Sequence, residues 1–457
     1  MKTTTLISAF FSAAALSAAT IDQVLVRQQW PWSTEVKVEY RVTGVTDPVD
    51  ISVAAYDGDT PLDASRLASS MKGDLFGIAK AGYYSFTIDP VAAFGTGEIA
   101  VMNFNVRLST TASAANMTDV LYKVVDLDSG SVTDITRADF YGRKYGSFTT
   151  NYSDFVINSV ACTTDFKDVL IWTEVTNNPI YKTSKLVLRH IPAASWGPWM
   201  MDAPGSGGTS SPSSLTGSGQ QHLVQLTADY YAGVFPITQA QYKRIAGSYG
   251  KQYTNETDYA DHLFKPVSGL DWSLGNAGAG LLTAKTGERL RFTLPTEAQW
   301  EFAARGGVTN SVLFSKNATY GAGTLRAIGW SRENATADCG YPVNAGYDSR
   351  QTVAVGRLAP NGFGLYDVLG NVLEACSDFS SDSTYVWPAE TVAVNPTGVD
   401  EASAAKTAQG IVKHIFRGGS VGTTSGRTDC TLRSRFSAGA YSQNLDYGFR
   451  VICTVAE

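Results

Sequence analysis

Leu294-Pro295-Thr296-Glu297-Ala298-Gln299-Trp300-Glu301-Phe302-Ala303-Ala304-Arg305-Gly306-Gly307 is the stretch on which the fold turns. Thr296 is followed three residues later by Gln299, the pattern of a capping box, in which hydroxyl and amide satisfy backbone groups stranded at a helix start. Trp300, Ala303 and Ala304 fall on one face, and Gly306-Gly307 supplies the exit. Upstream, Thr238 and Gln241 repeat the box, Tyr242, Ile245 and Ala246 line a face, and Gly247 stops the turn. Beyond these two short helices the chain reads mostly as loop with glycine and aromatic punctuation, down to Gly448-Phe449-Arg450-Val451.

The N-terminal third has a different period. Val36, Val38, Tyr40 and Val42 alternate with Glu35, Lys37, Glu39 and Arg41, a strand with one wet and one dry face. Val49 to Ala55, Tyr84 to Ile88, Phe104 to Leu108 and Leu121 to Leu127 read as further strands, with turn signals at Asp57-Gly58 and Asp89-Pro90. The expectation is an all-β sandwich of immunoglobulin-like shape over residues 20–130. Residues 131–184 form a β-rich connection, with strands expected at Phe155 to Val160 and Val169 to Glu174, whose domain is left open. A second domain spans 185–457, and its glycine- and serine-rich tract 205–220 reads as a flexible surface loop. Ahead of everything, residues 1–19 carry Lys2, an apolar run and a small-residue close, the layout of a secretory signal peptide. The chain is therefore expected in the cell envelope, periplasm or medium, with no transmembrane segment.

With 36 basic and 42 acidic residues in 457, a net charge of −6 and only 17% charged residues, nucleic acid is a poor partner. Five cysteines are too few for a disulfide scaffold. The four histidines, His190, His222, His262 and His414, are nowhere at helical metal spacing. Gly278-Ala279-Gly280 lacks the third glycine and the preceding strand of a dinucleotide fingerprint.

His222-Leu223-Val224, Tyr231 to Thr238 and the Leu294 to Gly307 block, followed in order by Asn361-Gly362-Phe363-Gly364-Leu365-Tyr366-Asp367, Gly370-Asn371-Val372-Leu373-Glu374, Arg417-Gly418-Gly419-Ser420 and Gly448-Phe449-Arg450, resemble the sulfatase-modifying-factor family, the formylglycine-generating-enzyme fold. The resemblance covers roughly residues 185 to 453. It implies an α+β domain of C-type-lectin-like build, so the whole chain is expected to be multidomain, all-β sandwich first and α+β domain second.

Enzymes of that family oxidise a client sulfatase cysteine to formylglycine with copper(I) held by two thiolates, three and eight residues after the serine matching Ser420. Those positions here are Thr423 and Thr428. A soft monovalent ion is held by soft sulfur and not by neutral hydroxyl, so no copper is expected and Ser420, Thr423 and Thr428 read as the remnant of a site. The resemblance also implies a disulfide between Cys376 and Cys430. It implies calcium ligands at Asp367, Gly370, Val372 and Glu374, the other reading being that both carboxylates cap loop amides. The expected function is non-catalytic binding or scaffolding of a protein or glycan through the surface bearing Thr423, Thr424, Arg427, Asp429, Arg435, Tyr441, Asn444, Asp446 and Tyr447, since tyrosines among small polar residues suit recognition. The alternative is an oxidoreductase for exported sulfatases with a rearranged metal centre.

Overall fold

The computed structural model describes residues 19–28, 33–62, 67, 70–94, 101, 103–113, 118–141, 148–149, 171–201, 222–249, 261–307, 329–331, 335, 352–381, 391–421, 435–441 and 446–456. All of the leader expected over residues 1–19 except Ala19, the strand expected at Phe155 to Val160 and the 205–220 loop lie outside these residues. Two compact units are present. One runs to Asp119 and takes in Thr136–Gly146; the other comprises Val120–Ile135 and Ser147–Glu457.

The first unit holds two antiparallel sheets. The four-stranded sheet has the order Thr20–Gln28, Val36–Thr43, Gly82–Ile88, Met71–Gly73, and the three-stranded sheet the order Thr60–Pro61, Val49–Asp57, Phe104–Ala112. The alternation in Val36–Thr43 is obeyed: Val38, Tyr40 and Val42 are buried, whereas Lys37, Glu39 and Arg41 are half-buried. Val38, Tyr40, Phe86 and Ile88 of one sheet join Val49, Ile51 and Ala55 of the other in a single apolar cluster.

The strand expected at Leu121 to Leu127 is not part of that unit. Val120–Asp126 pairs antiparallel with Lys185–Ile191 inside a six-stranded sheet of order Leu290–Thr293, Ile452–Val455, Tyr230–Gly233, Lys185–Ile191, Val120–Asp126, Val132–Thr136. The first unit's opening segment thus ends at 119, not 130, and the second begins well before 185. The reason is visible in the residues. Leu121, Tyr122, Lys123, Val124 and Val125 are buried without alternation, as in a strand covered on both faces. Of the stretch Val169 to Glu174, Ile171–Trp172 is a strand paired with Phe148–Thr149, a 3-10 turn over Thr173–Thr176 takes in Thr173 and Glu174, and residues 169–170 lie outside the described residues.

Both capping boxes form. Thr238 Oγ accepts the Gln241 N–H at 3.2 Å while Gln241 Oε1 accepts the Thr238 N–H at 3.0 Å, ahead of the Gln239–Ala246 helix. Thr296 and Gln299 do the same at 3.1 and 2.9 Å ahead of Glu297–Arg305. That second helix ends on Gly306 in the left-handed region, and Asn361 closes it by donating its amide to the Ala303 and Ala304 carbonyls at 2.8 and 3.0 Å. A third helix, Trp272–Lys285, forms between these two in a glycine-rich stretch for which the sequence announces no helix. Asp271 caps it, accepting the Leu274 N–H at 3.0 Å. Two of its glycines serve close packing against Phe449, Gly275 and Gly278: a Cβ on Gly278 would lie 3.1 Å from the ring, so the low helix propensity of glycine is outweighed there by contact.

The functional blocks meet in a four-stranded sheet of order Arg435–Gly439, Lys413–Arg417, Leu373–Phe379, Tyr447–Gly448. Glu374 lies opposite both Arg417 and Gly448 in its registers. The strand is entered through Gly370, at φ 77°, and Asn371, at φ 60°. The Asn371 amide imitates a strand partner, donating to Val353 O at 2.9 Å and accepting from Val353 N at 3.0 Å. A Cβ on Gly370 would fall 1.9 Å from the Trp330 carbonyl oxygen. Gly370→Ala combines that clash with an unfavourable φ and is expected to lower unfolding free energy by about 2–4 kcal/mol, measured by urea titration.

Candidate functional site

The centre of the second domain is a buried charge cluster. Arg450, 3% exposed, forks onto Glu374, which is fully buried: Arg450 Nε donates to the two carboxylate oxygens at 3.1 and 3.0 Å and Nη2 to Oε1 at 2.8 Å. The remaining guanidinium bonds go to backbone, Nη1 to Gly233 O and Nη2 to Tyr366 O, both at 2.7 Å. Trp300 Nε1–H adds a bond to Glu374 Oε2 at 2.6 Å. A second cluster sits across the Trp300 ring, where the Arg417 guanidinium lies 5.3 Å from the ring centroid. Arg417 donates to Glu297 Oε1 at 3.0 Å and to Glu301 Oε2, and Arg305 Nε donates to Glu301 Oε1 at 2.9 Å. Glu297 and Glu301 stand four residues apart and so project from one helix face.

These partners decide how the expected calcium ligands behave. Glu374 already gives both oxygens to Arg450 and Trp300, and a bound cation would meet the guanidinium charge. Asp367, at φ 54° and 2% exposed, accepts the Gly356 N–H on Oδ2 at 2.7 Å, and its Oδ1 has no hydrogen-bond partner. Burial pushes the Asp367 carboxyl up to about 6, a rise that the Gly356 N–H and the Arg450 and Lys182 charges only moderate. The open Asp367 oxygen suits a cation, but the committed Glu374 does not, and the set of four does not fit calcium. Among the described residues no three His, Cys, Asp or Glu side chains converge as a metal site.

Other expected residues divide. Ser420, 1% exposed, donates its hydroxyl to Asp446 Oδ2. Asp446 is 6% exposed, with Oδ1 lacking a hydrogen-bond partner, and Tyr447 is buried with its ring 4.6 Å from Phe416, so neither belongs to an exposed face as expected. The cause is the parallel pairing of Tyr447 with Leu373, which turns the ring into the core. Tyr441 is 67% exposed, as a contact residue requires. Arg435 lies in strand Arg435–Gly439. Thr423, Thr424, Arg427, Thr428, Asp429, Cys430 and Asn444 lie outside the described residues.

Cys376 is a free thiol, so the disulfide expected with Cys430 is not formed in this structure. Its side chain points into the apolar cluster with Trp300 and Ile415, where burial raises its pKa well above the ordinary thiol value. Cys453, also free, is pushed up to about 12 by burial. Two of the histidines serve structure: His414 stacks on Trp272 at 3.5 Å between centroids and is pushed down to about 4 by burial, and His190 pairs with Asp229 at 3.2 Å.

Sequence reading missed Arg450, Arg417, Trp300 and Glu301, although each stood inside a quoted block. The usable signal was the excess of charge in segments otherwise patterned for burial, since buried charges must be paired. Two expected outcomes follow. Arg450→Met leaves Glu374 buried without its counter-ion and is expected to cost about 3–5 kcal/mol in urea unfolding, with Arg450→Met combined with Glu374→Gln recovering part of the loss. The folded Asp367 carboxyl titrates near 6, above its ordinary value near 4, so its contribution to stability is present at low pH and is lost as pH rises through that window. Asp367→Asn escapes this loss, and its unfolding free energy relative to the parent protein is expected to climb between about pH 4 and 6 and then level off.

Comparison with known proteins places this geometry. Residues 197–455, over half of the chain, match the sulfatase-modifying factor enzyme 1-like domain. The formylglycine-generating enzyme of Thermomonospora curvata is 34% identical over 154 residues, 34% of this chain and 46% of that protein. Serine/threonine-protein kinase pkn1 of Chlamydia pneumoniae is 31% identical over 224 residues, 48% of this chain and 28% of that protein. The chain thus spans less than half the length of either relative. Among solved structures, Treponema denticola variable protein 1 aligns with a TM-score of 0.42 and 21% identity, over 59% of this chain and 95% of that one. With three of the family's sequence blocks, Gly370–Glu374, Arg417–Ser420 and Gly448–Arg450, meeting at one sheet around Glu374, the chain belongs to the family of the sulfatase-modifying factor enzyme 1-like domain.

Proposed function

We propose that the second domain is a non-catalytic recognition or scaffolding module of an exported protein. The observation that carries this reading is the chemistry available around Ser420. Copper(I) oxidation of a cysteine needs a pair of thiolates, and the matching positions, Thr423 and Thr428, offer neutral hydroxyls. The two described thiols are no substitute, because burial holds both Cys376 and Cys453 protonated, and a thiolate is the ligand form. Ser420 spends its proton on Asp446. What is left is a surface suited to contact: Tyr441 projects a rigid amphipathic ring, and the neighbouring sequence supplies threonines, arginines and Asn444.

The N-terminal unit, with two antiparallel sheets sharing an apolar cluster, is read as an immunoglobulin-like sandwich, and residues 1–19 as a leader removed on export. No helix among the described residues is long and apolar enough to cross a membrane. The oxidoreductase alternative draws support from relatives named as formylglycine-generating enzymes and requires a metal centre built without Cys376 and Cys453.

Copper(I) titration against a competing chelator, together with aerobic incubation with a cysteine-containing sulfatase peptide, separates the two. Neither thiolate-type copper binding nor peptide oxidation is expected; both together overturn the proposal. Tyr441→Ala is expected to weaken capture of the protein's envelope or glycan partner by about tenfold, measured by surface plasmon resonance.

A further inference from the structure

The outer face of the N-terminal four-stranded sheet carries a depression of about 740 Å³ whose lining includes Gln23, Leu25, Arg27, Glu39, Tyr83 and Ser85. Leu25, Glu39 and Ser85 stand side by side in register on three adjacent strands. Their strand neighbours Val38, Tyr40 and Phe86 are core residues, so this row faces away from the core. Tyr83 stands beside it and is 72% exposed, far more than any other described aromatic ring in this unit. A tyrosine so exposed contributes nothing to the core, and its ring is open for contact.

The backbone is bent to support that ring. The pairing of Thr20–Gln28 with Val36–Thr43 slips between Asp22 and Leu25, a bulge, and Gln23 within it sits at φ 55°. A left-handed conformation is costly for a residue with a long side chain, and bulges re-aim side chains beside functional sites. Here the side chain so aimed is Gln23, whose Oε1 accepts the Tyr83 hydroxyl proton at 3.2 Å. The Arg41 guanidinium lies 5.9 Å from the Tyr83 ring centroid.

Charge around the depression is paired. Arg27 meets Glu39 at 3.2 Å, Lys37 meets Glu39 at 3.0 Å, and Arg41 meets Asp22 at 3.5 Å. Asp74, which also lines the depression, accepts the Ser85 N–H at 3.2 Å, so the surface offers many oriented donors and acceptors whose charges are already engaged. Two of the three strands beneath it, Val36–Thr43 and Gly82–Ile88, have partners on both sides, and an added peptide strand could extend only the outer edge of Thr20–Gln28, away from the Tyr83 ring.

We propose that this depression binds a neutral oligosaccharide, with the Tyr83 ring stacking on the apolar face of one sugar and Gln23, Arg27 and Glu39 exchanging hydrogen bonds with its hydroxyls. The site belongs to the first unit and is independent of the reading given to the second. Its volume falls within the roughly 300–1,000 Å³ of small-molecule sites.

The test is isothermal titration of the full chain with hexasaccharide probes of cellulose, xylan, chitin, mannan and β-1,3-glucan. Binding of at least one probe is expected, weakened about tenfold by Tyr83→Ala, weakened by Gln23→Ala, and kept by Tyr83→Trp. Urea midpoints of the variants guard against misfolding, which the exposure of Tyr83 makes a small risk. The proposal is overturned if no probe binds, if Tyr83→Ala binds as the parent does, or if Tyr441→Ala removes binding instead. Retention of a proline-rich peptide in place of any sugar also overturns it.

Discussion

Everything in the second domain depends on one buried ion pair, Arg450 with Glu374. Isolating a guanidinium and a carboxylate from water is expensive, and the pair persists only because its hydrogen-bonding capacity is used. Trp300 of the Glu297–Arg305 helix, Gly233 at a strand end, Tyr366 in a loop and the two charged residues are brought to one point from segments 74 to 217 residues apart in their bonded pairs. Arg417, spanning Glu297 and Glu301 on the far side of the Trp300 ring, extends the cluster. A domain with short helices and strands of a few residues lacks long ladders to fix its topology, and convergent charge serves in their place.

The named partners of the cluster lie on Gly233, the Glu297–Arg305 helix, Tyr366, Glu374, Arg417 and Arg450, whereas the positions matching the family's thiolates, Thr423 and Thr428, lie in a separate stretch of sequence. A fold of this kind does not by itself carry a reaction, and activity is decided by the side chains it presents. Ser420 illustrates the point: the same residue in the same block donates to a carboxylate, Asp446, that also lies buried.

What the sequence made legible was local. Both capping boxes, their glycine exits and the alternation of Val36–Thr43 are short-range rules, and they held. The Trp272–Lys285 helix was hidden because its glycines answer to Phe449, a residue far away in the chain. Val120–Asp126 was assigned to the wrong unit because an apolar run announces a strand without naming its partner. At the site, family blocks located Asp367, Glu374 and Ser420, but not that Arg450 would neutralise Glu374 or that Tyr447 would turn inward. Partners across a sheet are tertiary facts, and a spacing rule carries no record of them.

The path of the chain has an evolutionary corollary. The polypeptide leaves the first unit at Asp119, contributes a hairpin to the second, returns for Thr136–Gly146 and departs again. Modules strung end to end can be lost or shuffled by a single recombination event. Here a single cut that removed the whole first unit, through Gly146, would also take Val120–Asp126 and its partner strand from the second, so the second unit cannot be passed on intact by itself as one continuous piece.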